Sequence, residues 1–259
     1  MRLFDSHCHL NDAAYTDDLD TVLTRMTEAG VDAAMIVGIT PENSKTAVAL
    51  AESRPGFFAS AGVHPHDAAS CTEPALAALR ELVNRYPKIR AWGETGLDYN
   101  RMFSPKADQE KWLIRQIETA VELNLPLIFH ERDSEGRFLN ILKNHLPNDY
   151  PGVVHCFSGT DSELDAYLDR GLYIGITGIL TVKSRGAELR RQVGLIPEDR
   201  LVVETDAPYL TPTPERNKYR RNEPAFVKTT LLKLAEVRRT DPEALAETVW
   251  ANTCRLFSI

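Results

Sequence analysis

Leu3-Phe4-Asp5-Ser6-His7-Cys8-His9 opens the chain as an apolar run that ends in two imidazoles two residues apart. On an extended strand residues i and i+2 share a face, so His7 and His9 can chelate one ion. The same design recurs along the sequence. Glu94 follows the run from Ile89 to Gly93, His130 follows Ile128-Phe129, His155 follows Val153-Val154, and Asp206 stands just beyond Leu201-Val202-Val203. Imidazole and carboxylate are the common non-thiolate metal ligands, and their dispersal along the chain points to a catalytic metal site rather than a locally knotted structural one.

Eight strand-like runs can be read in all: Leu3 to His9, Ala33 to Gly38, Phe57 to Val63, Ile89 to Gly93, Leu125 to His130, Gly152 to Phe157, Leu172 to Thr177 and Leu201 to Thr205. Amphipathic stretches lie between them. Leu19, Val22, Leu23 and Met26 make one apolar helix face, and Leu76, Leu79, Leu82 and Val83 another. Eight βα units in 259 residues fit a parallel (β/α)8 TIM barrel of about 250 residues. Active sites of that fold form at the C-terminal ends of the strands, where His7, His9, His64, His66, Glu94, His130, His155 and Asp206 all fall. An open sheet would keep the first and last strands apart, so ligands on both argue for closure.

Composition agrees with one domain over residues 1–259: 43% hydrophobic, 26% charged, with no Pro/Gly/Ser-rich linker. The amino terminus carries neither a basic segment nor a long apolar stretch, so a membrane span is not expected and a cytoplasmic protein is. Cys8, Cys71, Cys156 and Cys254 form no CxxC pair and are expected to be reduced thiols used in packing. A net charge of −7 excludes a protein that coats nucleic acid non-specifically, although Arg216, Lys218, Arg220 and Arg221, or Arg101 and Lys106, can form a local basic strip. No obligate protein partner is evident.

The individual motifs sharpen the chemistry. Glu94 sits in Gly93-Glu94-Thr95-Gly96, where small neighbours allow a turn and the approach of a ligand; it is placed to bridge two ions. Asp98 serves either to orient a ligand histidine or to form the turn. His130 and His155, on adjacent strand ends beside Glu94, make a second metal position. Asp206 completes the first and can take a proton from the attacking water. Two divalent cations would leave a surplus of about two positive charges over Glu94 and Asp206, which invites a phosphate. Four histidines suit zinc, manganese or another transition metal better than magnesium.

The motifs Asp5-Ser6-His7-Cys8-His9-Leu10, Gly62-Val63-His64-Pro65-His66, Gly93 to Tyr99, His130-Glu131-Arg132, His155-Cys156-Phe157-Ser158-Gly159, Glu204 to Leu210 and Arg221-Asn222-Glu223-Pro224 occur in the order of the TatD family of metal-dependent hydrolases, which the whole chain resembles. The resemblance implies an amidohydrolase-type barrel, with one divalent ion on His7, His9, Glu94 and Asp206 and another on Glu94, His130 and His155. It also implies deoxyribonuclease activity, often 3′ to 5′ exonucleolytic, with His64 in the active site. Asn100 and Glu131 depart from the family's usual wording, and Glu131 adds negative charge near the mouth. His66, Arg132 and Arg221 are candidates for holding DNA, the two arginines by clamping a phosphate. Two other readings remain open here: a hydrolase of a small ester, amide or aminoacyl substrate on the same site, and a metal-dependent binding protein. A basic segment Arg216 to Arg221 lining the mouth favours nucleic acid; one facing away favours the small substrate.

Overall fold

The computed structural model describes all 259 residues and places eight parallel strands in one sheet, in chain order: β1 Leu3–Cys8, β2 Val31–Ile36, β3 Phe57–Ala61, β4 Ile89–Asp98, β5 Leu127–Arg132, β6 Gly152–Val154, β7 Tyr173–Ile176 and β8 Leu201–Val203. Helices alternate with them: α1 Leu19–Glu28, α2 Pro41–Glu52, α3 Glu73–Arg85, α4 Lys106–Leu123, α5 Arg137–His145, α6 Asp161–Leu168, α7 Ala187–Gln192, α8 Val227–Arg238 and α9 Pro242–Phe257. Several begin where the sequence supplies a cap. Thr40, Thr72 and Asp241 accept a backbone N–H of the first turn and are followed by proline within two residues, while Thr160 and Glu163 form a reciprocal capping box.

The sheet curls into a nearly closed barrel, as the run of eight βα units predicts. At the seam, Cys8 bridges to Ala207, Asp206 N–H donates to His7 O at 2.9 Å and His9 N–H to Ala207 O at 2.7 Å. The buried Asp5 carboxyl group adds two bonds there, accepting the Thr205 N–H at 2.9 Å and its hydroxyl. The seam thus joins the two strand ends that carry His7, His9 and Asp206.

Two apolar cores result. The larger packs the outer strand faces against the helices; the smaller fills the barrel with Phe4, Met35, Ala91, Ile128, Val153, Tyr173 and Val202, and Phe257 of α9 joins it. Along β5 alternation carries the inward face from Ile128 to His130, while His155 stands just past β6 and Glu204 and Asp206 just past β8, Asp206 in a left-handed backbone conformation.

In β1 and β4 alternation alone would fail, because Phe4 and His7, like Ala91 and Glu94, are three residues apart. Both strands contain an extra residue. Asp5 to Cys8 spans only Ala34 to Ile36 of β2, and Trp92 to Thr95 spans only Leu127 to Phe129 of β5. Such bulges re-aim side chains at the rims of barrels. The expected end of the fourth strand at Gly93 is corrected accordingly: pairing resumes and continues to Asp98 opposite Arg132. The glycines serve the close approach of backbones rather than a turn, since a Cβ on Gly96 would stand 1.7 Å from His130 O.

Candidate metal centre and active site

Donor atoms held about 2.1 Å from one tetrahedral ion lie roughly 3.4 Å from each other. His7 Nε2 stands 3.2 Å from His9 Nε2, 3.4 Å from Glu94 Oε2 and 3.6 Å from Asp206 Oδ1. His9 Nε2 stands 3.8 Å from the same glutamate oxygen and 3.4 Å from the same aspartate oxygen. These are spacings of groups arranged about a shared point, with lone pairs facing one another. They fit a metal ion.

The other glutamate oxygen faces a second group. Glu94 Oε1 lies 2.9 Å from His130 Nδ1, 3.1 Å from His155 Nε2 and 3.4 Å from His64 Nε2. Each oxygen of Glu94 therefore looks into a different set of imidazoles. The rings of His7 and His155 stack at 3.9 Å between centroids, which ties the two sets together. Glu94 is 2% exposed, so the carboxylate that both sets share is withheld from water.

The electrostatics are reciprocal. Burial alone would push the Glu94 carboxyl up, but His155, His64 and His7 around it, with the His130 bond, hold it well below the usual carboxylate range. Burial likewise works against ionised Asp206, and His9, His155 and His7 reverse it. The carboxylates in turn raise His9, His130 and His155 against the effect of burial. The site stabilises positive charge, whether it arrives as protons or as metal cations.

His64 behaves differently. Burial pushes it down to about 4, so its ring is neutral at physiological pH. Its Nδ1 accepts the His66 N–H at 3.1 Å, which leaves the ring proton on Nε2, facing the centre.

Around this cluster the structure sorts the remaining candidates. Asp98 makes contacts of both kinds: Oδ2 lies 2.8 Å from His66 Nε2 and 3.2 Å from His130 Nε2, while Oδ1 accepts the N–H groups of Asn100 and Arg101 in the turn. His66 is at the rim, with Phe103 edge-on at 4.7 Å. Arg132 ends β5, half-buried and without an ion pair. Arg221 corrects an expectation. Its guanidinium binds both Asp18 oxygens at 2.7 and 2.6 Å, reaches Glu223, and lies over the Tyr15 ring, so its donors are spent on the scaffold instead of a phosphate.

Glu204 was visible in the sequence only as an acid two residues before Asp206. In the structure it is 1% exposed, with Oε1 accepting the Cys156 N–H at 2.6 Å and lying 3.3 Å from His155 Nδ1, and Oε2 3.4 Å from the Ser6 hydroxyl. The signal that could have found it is the shared inward parity of residues 202, 204 and 206. Tyr209, exposed and edge-on to His9 at 6.0 Å, was also missed.

Two cavities flank the centre. One, of about 460 Å³, is lined by residues after β7 and β8, including Arg216 and Arg220. The other, of about 900 Å³, is lined by residues after β5, β6 and β7 without one apolar side chain, six of them carboxylates.

Comparison with known proteins agrees with this architecture. The profile of the family described as TatD related DNase matches residues 4–258. The 3'-5' ssDNA/RNA exonuclease TatD of Escherichia fergusonii is 40% identical over 99% of each chain, and that of Citrobacter koseri is 42% identical over 99% of each. Among solved structures, the Escherichia coli TatD homologue YJJV superposes with a TM-score of 0.89 at 29% identity, covering 100% of this chain and 98% of that one. A TatD-family hydrolase from Entamoeba histolytica gives 0.90 at 27%, covering 99% and 98%.

Proposed function

The chain belongs to the family of TatD-related DNases, and on that premise we propose that it is a divalent-metal-dependent nuclease that removes nucleotides from the 3′ end of single-stranded DNA. The observation that carries this reading is the division of the Glu94 oxygens between two histidine sets at the barrel mouth. RNA is a substrate on the same grounds, since the relatives' names include it.

In this reading His7, His9, Glu94 and Asp206 would hold one divalent cation and Glu94, His130 and His155 a second, with Glu94 offering one oxygen to each set. Bound there, such cations lower the pKa of a water toward about 7 and neutralise the oxygens of a phosphodiester. Asp206 directs Oδ1 at His7 and His9, and its Oδ2, which has no partner within the chain, accepts the proton of the attacking water. His64, neutral and protonated on Nε2, donates to a non-bridging phosphate oxygen as charge builds there. His66 keeps His64 in that tautomer through its backbone N–H, and through its ring shares Asp98 with His130. Arg132, free of carboxylate partners, is left to hold a neighbouring phosphate. A cytoplasmic setting belongs to the same reading, supported by four free thiols. No helix is long and apolar enough to cross a membrane.

The test is a single-turnover time course on end-labelled single-stranded DNA, with chelated protein reloaded separately with Mg2+, Mn2+ or Zn2+. A ladder shortening from the 3′ end, absent with Asp206→Asn and with Glu94→Gln, is the expected result. Stoichiometric metal binding without cleavage under any ion would sink the nuclease reading.

A further inference from the structure

The metal centre lies between two rims of opposite character, and the contrast bears on how a long strand reaches it. On one side Arg185, Arg216 and Arg220 line the cavity of about 460 Å³ together with Tyr209 and Tyr219. All three arginines are exposed, and none is engaged in an ion pair. The two tyrosines are 54% and 52% exposed, large for aromatic rings. Tyr219 is backed by Phe226 at 5.6 Å, while Tyr209 packs edge-on to His9 at 6.0 Å, so one wall of the groove adjoins the histidine cluster. On the other side the cavity of about 900 Å³ presents Glu131, Asp133, Glu135, Asp161, Glu163 and Glu188, with no lysine or arginine among its lining residues.

We propose that the groove between the β7 and β8 loops is the track for the body of a single-stranded nucleic acid: bases stack on Tyr209 and Tyr219, phosphates pair with Arg185, Arg216 and Arg220, and the acidic rim turns the strand away from the opposite side. Exposed aromatic rings interleaved with unpaired cations are what a single strand requires, because each unpaired base offers a face for stacking and each phosphate a charge. Duplex DNA offers no free faces and gains only the charge. Asp161 and Glu188 are paired with Arg191, and the acidic rim supplies the direction through Glu131, Asp133, Glu135 and Glu163, which have no cationic partner and repel a polyanion laid across them. The inference rests on the exonuclease reading for its polarity: with the 3′ terminus at the metal centre, the groove holds the 5′ remainder. It accounts for how a chain of net charge −7 handles a polyanion, by placing Arg185, Arg216 and Arg220, none of them ion-paired, together in one groove.

The experiment is equilibrium binding, by fluorescence anisotropy, of a 5′-labelled, hydrolysis-resistant phosphorothioate oligothymidine of about 12 nucleotides, across about 50 to 200 mM salt. Arg216→Gln combined with Arg220→Gln is expected to weaken binding at least tenfold and to reduce the salt slope by about 1.4, at roughly 0.7 per phosphate contact on a single strand. Lys45→Gln combined with Lys111→Gln, an equal charge change on the outer helices, is expected to leave the slope in place. Tyr219→Leu is expected to lose about tenfold and Tyr219→Phe to retain affinity, since the stacking ring remains. An unchanged slope in the arginine pair, the same loss in the lysine pair, or equal competition by polyglutamate would each overturn the groove; the last would assign it to acidic peptides. Failure of the nuclease reading looks different. A strand that binds through Arg216 and Arg220 but is not shortened by the metal-loaded enzyme leaves the groove standing and removes the exonuclease.

Discussion

The Glu204 carboxylate stands 3.3 Å from Nδ1 of His155, on the opposite side of the ring from Glu94, which lies 3.1 Å from Nε2. One imidazole thus lies between two buried acids, its Nδ1 within reach of the outer carboxylate but not hydrogen-bonded, and the outer acid is anchored by the Cys156 N–H. Outer carboxylates of this kind orient a ligand histidine and raise its basicity. Glu204→Gln should therefore lower metal affinity about 10- to 100-fold while the barrel still folds. Chelator competition, beside thermal unfolding of the metal-free protein, checks both halves; undiminished affinity would reduce Glu204 to a packing group.

Gly175 on β7 makes room for that carboxylate. A Cβ built there would lie 2.7 Å from both Glu204 oxygens. Gly175→Ala should reproduce the metal-affinity loss of Glu204→Gln without touching a charged residue, and the two changes together should cost less than the sum of the singles. Full additivity would show that the two positions act independently.

Arg221 is predicted to matter for stability alone. Its bidentate bond to Asp18 and its place over Tyr15 are partly solvent-screened, so Arg221→Ala should cost about 1 to 2 kcal/mol in unfolding free energy. Binding of single-stranded DNA should be unaffected in the same protein. A loss of strand affinity, with stability intact, would restore the phosphate clamp that the sequence suggested.

Asp5 sets a pH dependence at the barrel seam. Burial pushes its carboxyl up to about 8, against the opposing hydrogen bonds from Thr205, whereas in the unfolded chain it ionises near about 4. The folded protein therefore holds a proton that the unfolded chain releases between those values. The stability contributed by protonated Asp5 is complete below about pH 4 and is lost as pH rises through 8. Asp5→Asn removes this dependence, so the melting temperature of the variant relative to the native chain should climb from pH 5 to pH 9. A difference that stays constant over that range would show Asp5 ionised throughout.

The sequence by itself determined the number of strands, their order, the family and which histidines and carboxylates stand at the strand ends. Each of those follows from local information: apolar runs of period two, ligand residues at their ends, and caps such as Thr40 and Thr160 that start the intervening helices. Alternation also oriented His130, which lies within β5. Only the tertiary structure decided the rest. His7 and Glu94 turn inward because β1 and β4 each carry one extra residue, and a bulge is a mismatch between two strands that neither reveals alone. Partners far apart in sequence, such as Glu204 for Cys156 or Asp18 for Arg221, come together only when closure of the barrel brings their strand ends and loops together. The same closure divides a run of basic residues that reads as uniform, committing Arg221 to the scaffold and leaving Arg216 and Arg220 free at the mouth.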